Sequence, residues 1–375
     1  MSSRIVYFVH DLSDAAVHRR VRMLRQGGAT ITVIGFRRSH APVDIPQASE
    51  VVDLGLTHDA KLAKRSIAVA RSLAQIDRLA HHVRESDLVI ARNLEMLVLA
   101  ARARHRYARS AKLCFECLDI HALLLSDRLP GRLLRTLESR LWRDVDLLVT
   151  SSPSFVEHYF RPRGFAGAIK LVENKVLVGS PPDAPDDNRP VRRPWQIGWF
   201  GMLRCRRSLE YLGRVSTALD GAVEVVIRGR PSSAIFPDFP ATVAEHPFVR
   251  FEGPYGPDDL ADIYGNVHFS WAIDYYEEGL NSSWLLPNRL YESGLHNVVP
   301  IALNGVATGR WLAERGIGIL TEDPPVASLV EMLRQLDSGT YSRMRAGVAA
   351  RPRNEFSVAP AECRQLVSEL AGPRT

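Results

Sequence analysis

The sequence predicts an α/β protein made of two doubly wound, mainly parallel sheets in two domains. Three observations carry that expectation. Short runs rich in Val, Ile and Leu alternate with longer segments of helical period, and those runs are apolar throughout rather than at every second residue. Strands covered by helices on both faces read this way. The alternation stops in a stretch rich in proline and charge at 179–194, then restarts, as at a linker. The length, 375 residues, is large for one core and comfortable for two.

Taken in order, strand-like runs fall at 5–10, 30–36, 88–91, 113–120 and 147–150, with helical segments at 15–26, 61–84, 94–106 and 132–143. A further strand at 169–172 precedes the linker. Beyond it, strands are expected at 197–201, 223–228, 249–252, 268–273, 298–303 and 318–320. The helices expected there pass through Leu209, Leu212 and Val215 and cover 258–264, 308–315 and 326–336. A short helix begins near Pro287, which suits a first helical position because its missing N–H would be unpaired there. An amphipathic segment at 359–370 closes the chain. The domains are thus 1–178 and 195–355, with 356–375 a helix returning towards the first domain.

Bulk properties narrow the function. A composition of 46% hydrophobic and 24% charged residues argues against disorder. No apolar run approaches the roughly 20 residues that span a bilayer. The first ten residues read as a buried strand rather than a signal peptide, so a cytoplasmic protein is expected. The net charge is +6, but its arginines are scattered and no nucleic-acid module accompanies them, which argues against nucleic acid as a partner. Cys114 and Cys117 form a C-x2-C inside a strand-like run. An offset of three places the thiols on opposite faces, and no second pair completes a zinc site, so buried reduced thiols and no metal are expected.

In doubly wound sheets ligands bind outside the carboxyl ends of the strands, here in a cleft between the two domains. Polar residues just after strands are therefore the candidates. His10-Asp-Leu-Ser-Asp14 follows the first strand and is not G-x-G-x-x-G, which argues against a nicotinamide or flavin enzyme. Asp11 or Ser13 caps the following helix, or Asp11 meets an acceptor. Asn93 is a helix N-cap or, with Glu95, a substrate contact. Asp119 and His121 share a face of an extended strand and hydrogen-bond a sugar, assist proton transfer, or form a structural loop pair.

In the second domain Gly201 lets a ligand approach the backbone. Arg204 and Arg207 follow in the turn and first helical turn, where cations are misplaced unless an anion binds there. Glu277 and Glu278 follow another strand and either bind sugar hydroxyls or form a solvated charge pair. Asn288 and Glu292 are four apart on one helix face with Arg289 beside them, an arrangement that fits a phosphate at the helix tip and ribose hydroxyls on the carboxylate.

These motifs, in this order, resemble the group-1 family of GT-B glycosyltransferases. The resemblance is carried by Trp199-Phe-Gly201 with Arg204 and Arg207, by Val249-Arg-Phe-Glu-Gly253 before Asp259-Leu-Ala-Asp-Ile-Tyr264, and by Asn288-Arg-Leu-Tyr-Glu-Ser-Gly294 before Val298-Val-Pro-Ile-Ala302. Asp119-Ile-His121 resembles the family's Asp-x-His. It implies two facing Rossmann-like domains and a sugar transferred from a nucleoside-diphosphate sugar to a glycan or lipid-linked acceptor, in cell-surface or exopolysaccharide synthesis, mostly with retained configuration. It implies that Arg204 and Arg207 meet the diphosphate, that Glu292 accepts ribose hydroxyls, that Asn288 and Arg289 contact phosphate or sugar, that Asp119 and His121 face the transferred sugar or acceptor, and that no metal or other cofactor is needed. One of the family's two paired glutamates falls on Trp284, with Glu277 or Glu278 a displaced substitute. A basic, apolar stretch at 123–134 could meet a lipid-linked acceptor at the inner membrane surface. The other readings are a GT-B sugar-nucleotide 2-epimerase, which needs no acceptor, and a non-catalytic nucleotide-sugar-binding protein.

Overall fold

A computed structural model describes residues 2–57, 62–179 and 190–372, with the backbone alone at 62–64. The linker expected at 179–194 lies mostly, at 180–189, outside the described residues. The chain divides into two compact units, Met1–Glu173 with Val358–Thr375, and Asn174–Ser357.

The first unit carries a seven-stranded sheet of β1 (Arg4–Val9), β2 (Thr30–Arg37), β3 (Glu50–Leu56), β4 (Leu88–Arg92), β5 (Lys112–Cys117), β6 (Leu147–Thr150) and β7 (Ala168–Leu171). Their order is β3-β2-β1-β4-β5-β6-β7, and neighbouring strands pair in parallel. Every residue of β4 is buried, as are five of the six in β1 and in β5. That double-sided burial is what continuous apolar runs build. The strand order reverses direction between β1 and β4, the switch point where such sheets bind ligands.

The helix Pro360–Ala371 belongs to this unit and packs on the helix Ala15–Gln26. The contact is close because Gly27 has no side chain; a Cβ there would lie 2.4 Å from the Cys363 carbonyl oxygen and from Val367.

The second unit carries β8 (Val176–Leu177) and a six-stranded sheet of β9 (Trp195–Leu203), β10 (Val223–Pro231), β11 (Val249–Phe251), β12 (Phe269–Trp271), β13 (Val299–Leu303) and β14 (Ile319–Thr321). Its order, β11-β10-β9-β12-β13-β14, is again parallel and switches between β9 and β12. The core is rich in large aromatics, with Trp195, Trp199, Trp271, Tyr291 and Tyr341 buried. Near the carboxyl ends of β9 and β10 two glycines stand side by side with φ +114° and +145°. A Cβ on Gly229 would fall 1.8 Å from the Gly201 carbonyl oxygen, so this pair excludes any side chain.

Several expectations change. The strand expected at 113–120 ends at Cys117. The helix expected at 61–84 breaks near Gln75 into Leu62–Ala74, a 3₁₀ turn and Ala80–Val83. Pro287 sits one position before the helix Asn288–Leu295, as its N-cap with extended ψ, rather than inside it. Strand β3 and the helix Ser338–Ala349 were not anticipated.

Candidate functional site

In the second unit the polar candidates gather around the loop that follows β12. Cys205 caps the helix Arg206–Ala218: its sulfur accepts from the Ser208 N–H (3.4 Å) and hydroxyl (3.1 Å), and from the Tyr275 N–H (3.4 Å). The Ile273 carbonyl accepts from the Ser208 hydroxyl at 3.5 Å and from Arg289 Nη2 at 3.2 Å. One loop therefore ties together the helix that carries Arg207 and the helix that carries Glu292.

Arg207 lies in the first turn of its helix, but carboxylates of the chain already answer it. It pairs with Glu278 and, at 3.1 Å, with Asp323, donates to the Tyr211 hydroxyl at 3.2 Å, and stacks 4.1 Å from the Tyr275 ring centroid. Its pKa is raised, by the Tyr211 hydrogen bond and then by Glu278. The Tyr275 hydroxyl donates to Asp323 at 2.8 Å. Arg204 pairs with Asp274 at 3.6 Å and lies 4.6 Å from the Tyr276 ring centroid. The two Arg207 pairs are substantially exposed, so each is worth about 0–1 kcal/mol and holds the guanidinium in place without locking it, whereas the Asp274 carboxylate beside Arg204 is mostly covered.

Glu292 accepts from the Tyr264 hydroxyl at 2.9 Å. Burial, with Glu292 next, pushes the Tyr264 hydroxyl well up, so it stays a donor. Tyr255 is likewise raised by burial and by Glu292, and its hydroxyl would stand 4.0 Å from a Cβ on Gly201. Asn288 is exposed on the same helix. Arg289 is not a surface contact, because it is buried and spends Nη2 on Ile273, leaving Nε without a partner. Glu277 accepts from Asn281 Nδ2 at 2.6 Å, in the turn that leads to Trp284. Asp274 and Asp323 were missed from sequence. Both follow strand ends, which was the signal available.

In the first unit Asp11 and Asn93 come together near the β1–β4 switch point, within a charged cluster. The helix cap is Asp14, which accepts from Ala16 N, and not Asp11 or Ser13. Asp11 instead accepts from Ser13 N at 3.0 Å and from its hydroxyl at 2.7 Å, and pairs with Arg38 at 3.3 Å. Asn93 occupies the N-cap position of the helix Leu94–Tyr107 but makes no side-chain cap bond. Its Nδ2 faces His10 Nδ1 at 3.3 Å, and its backbone stands at φ +70°, ψ 166°, a region nearly confined to glycine.

Beneath it Glu116 accepts from Arg20 Nε at 2.6 Å and from Tyr7, with Arg92 3.5 Å away, and its carbonyl accepts from Asn93 N at 3.0 Å. Burial would raise the Glu116 carboxyl, but Arg20 and Arg92 outweigh it and hold it low. Burial, with Arg92 next, drives His10 down to about 3, so its ring is neutral. Asp119 and His121 both lie beyond β5 and are exposed; they do not share a strand. His121 caps the short helix Ala122–Leu125, its Nδ1 accepting from Leu123 N at 3.2 Å. Cys114 and Cys117 are free and buried on β5, and burial pushes both thiols up. Among the described residues, no helix is long and apolar enough to cross a membrane.

Comparison with known proteins supplies a relative and a fold. No family model matches the chain. The succinoglycan biosynthesis protein ExoL of Rhizobium meliloti (strain 1021) is 46% identical over 375 residues, covering 98% of this chain and 93% of that protein. A sucrose-phosphate synthase from Thermosynechococcus elongatus superposes with a TM-score of 0.73 at 13% identity, covering 98% of both chains. Anabaena HepE in complex with UDP and glucose superposes with a TM-score of 0.68 at 14% identity, again covering 98% of both. At such identities these structures establish the shared fold alone.

Proposed function

The chain belongs to the family of the succinoglycan biosynthesis protein ExoL and has the GT-B fold, and from that premise we propose that it is a glycosyltransferase of exopolysaccharide synthesis. It moves a sugar from a nucleoside-diphosphate sugar to a glycan or lipid-linked acceptor. The bond between the anomeric carbon and the diphosphate oxygen breaks, and the leaving diphosphate takes the electron pair. An acceptor hydroxyl forms the new bond to that carbon, and its proton passes to the departing diphosphate.

The observation that carries the reading is the pair Arg204 and Arg207 at the carboxyl end of β9, beside the switch point of its sheet. In this reading they meet charge growing on the leaving diphosphate, a role filled by fixed cations, and no metal ion is called for. Asp274 holds Arg204, and Glu278 and Asp323 hold Arg207 until the donor exchanges for those weak exposed pairs. Tyr264 orients Glu292 to accept ribose hydroxyls, and the exposed polar head of Asn288 lies on the same helix. Gly201 gives the donor a close approach to the backbone. Arg289 shapes the site from beneath through Ile273. On the acceptor side stand Asp11 and Asn93, with Asp119 and His121 exposed beyond β5.

UDP, the nucleotide that HepE holds, is the first probe. The expected result is a rise in melting temperature with UDP, since a ligand that binds only the folded state stabilises it. Arg207→Ala should lower turnover of a UDP-sugar by roughly 10²–10³, and Glu292→Ala should weaken the UDP shift. Turnover near wild type in both variants would sink the assignment. A nucleotide sugar converted without acceptor would replace transfer by epimerisation.

A further inference from the structure

The helix Leu129–Leu141 is amphipathic in the wrong sense for a soluble domain. Its residues Gly131 and Glu138 are buried. A Cβ on Gly131 would stand 2.3 Å from the Leu123 carbonyl oxygen and 2.4 Å from that of Ser126, so this line of the helix lies hard against the protein. Glu138 is 1% exposed and accepts from the Tyr159 hydroxyl at 2.6 Å. At about 100° per residue, Leu129 and Leu133 fall on the opposite side and Leu137 at its edge. They are 67%, 62% and 40% exposed. The helix therefore turns a carboxyl inward and a leucine stripe outward, where an ordinary surface helix does the reverse. Such a contiguous apolar stripe marks an interaction face.

The charge around the stripe selects the partner. Arg128, Arg132, Arg135, Arg140 and Arg143 lie on or beside this helix, against two exposed carboxylates, Asp127 and Asp144. Arg140 falls within the leucine stripe. On one flank Arg132, Arg135, Thr136, Ser139 and Arg163 line an open hollow of about 300 Å³. Arg135 is anchored there by the carbonyls of Leu124 (3.0 Å) and Ser126. A second copy of the chain would set this face against itself in a two-fold contact, arginines opposing arginines. An anionic bilayer offers the complement: phosphates for the guanidinium heads and an acyl boundary for the leucines.

We propose that this outward face docks the first unit on an anionic phospholipid surface, with Leu129, Leu133 and Leu137 entering the interface and Arg132 and Arg140 meeting lipid phosphates. The surface is remote in sequence from the residues read as donor site, so the inference stands apart from the donor reading.

The test is co-sedimentation of the whole protein with vesicles of phosphatidylglycerol and phosphatidylethanolamine, and with vesicles of phosphatidylcholine. Binding to the first, weakened by salt, and none to the second is expected. Each arginine near such a surface contributes roughly fivefold. The double variant Arg132→Glu, Arg140→Glu should therefore bind at least roughly twenty-fivefold more weakly. Leu129→Ser with Leu133→Ser should bind at least roughly tenfold more weakly. Both pairs are exposed, so the melting temperature and its shift with UDP should be unchanged. The salt dependence of the wild-type protein stands as a measurement that needs no variant. Failure to sediment with anionic vesicles, or variants that sediment like wild type, overturns the proposal. So does a dimer in solution that the leucine variants abolish.

Discussion

Glu138 makes the stability of the first unit depend on pH in a direction that can be worked out. Burial pushes its carboxyl up from 4.5 to about 7, with the Tyr159 hydrogen bond pulling weakly the other way. As pH rises above 4.5 the unfolded chain releases this proton while the folded chain keeps it. The folded state then binds more protons, so stability falls until pH passes about 7 and is level beyond. At about 1.4 kcal/mol per pH unit, the gap between 4.5 and 7 amounts to about 3 kcal/mol. Glutamine copies the protonated acid in shape and can still accept from Tyr159. Glu138→Gln should thus match wild type near about pH 4 and exceed it by about 3 kcal/mol near about pH 8.

His10 adds an opposite slope. Its pKa falls from 6.5 to about 3 through burial and Arg92, so its contribution is present above 6.5 and is lost as pH falls towards 3. That slope is common to both proteins and cancels in the difference. Urea unfolding midpoints at a series of pH values give the comparison directly. A difference that does not change with pH would refute the reasoning.

Other outcomes follow from the packing. Gly229→Ala should cost about 3 kcal/mol, because its Cβ would meet the Gly201 carbonyl and its φ is +145°. Gly253→Ala, with φ +79° and open space around it, should cost only about 1 kcal/mol; urea midpoints that rank the two the other way would contradict this. Gly27→Ala should cost about 2 kcal/mol by prising the helix Pro360–Ala371 from its partner, and hydrogen exchange should quicken in that helix first. Tyr264→Phe should reduce the melting shift given by UDP while leaving the unliganded melting temperature within a few degrees, since it removes the hydroxyl that orients Glu292.

Much of this architecture is legible in the chain, for a physical reason. Strands such as β4 and β5 are buried on both faces, so each announces itself as an unbroken apolar run. Strand β3 escapes because it is the sheet edge and none of its residues is fully buried. The helix Ser338–Ala349 escapes because it buries only Tyr341 and Val348 and contains two glycines, so it has almost no periodic signal.

Within the candidate sites the placement of Arg204, Arg207 and Glu292 could be read from strand ends, but their partners could not. Asp274, Asp323 and Tyr264 arrive from other strands and helices, and only the fold makes them neighbours. Arg289 looked exposed because a polar residue in a first turn usually is; its burial depends on the carbonyl left open after β12. The Asp119–His121 pairing presumed that β5 runs on, whereas the chain turns after Cys117 into a helix capped by His121.

The docking of the helix Pro360–Ala371 on the first unit has a consequence for synthesis. Residues 174–357 form a unit continuous in sequence and can complete their sheet as soon as they have emerged from the ribosome. The first unit begins earlier but needs residues from the far end of the chain to cover Gly27 and the helix before it. Domains generally finish in the order in which they are made; here the earlier one must wait, the helix Ala15–Gln26 open to solvent and to chaperones until the helix Pro360–Ala371 has been made.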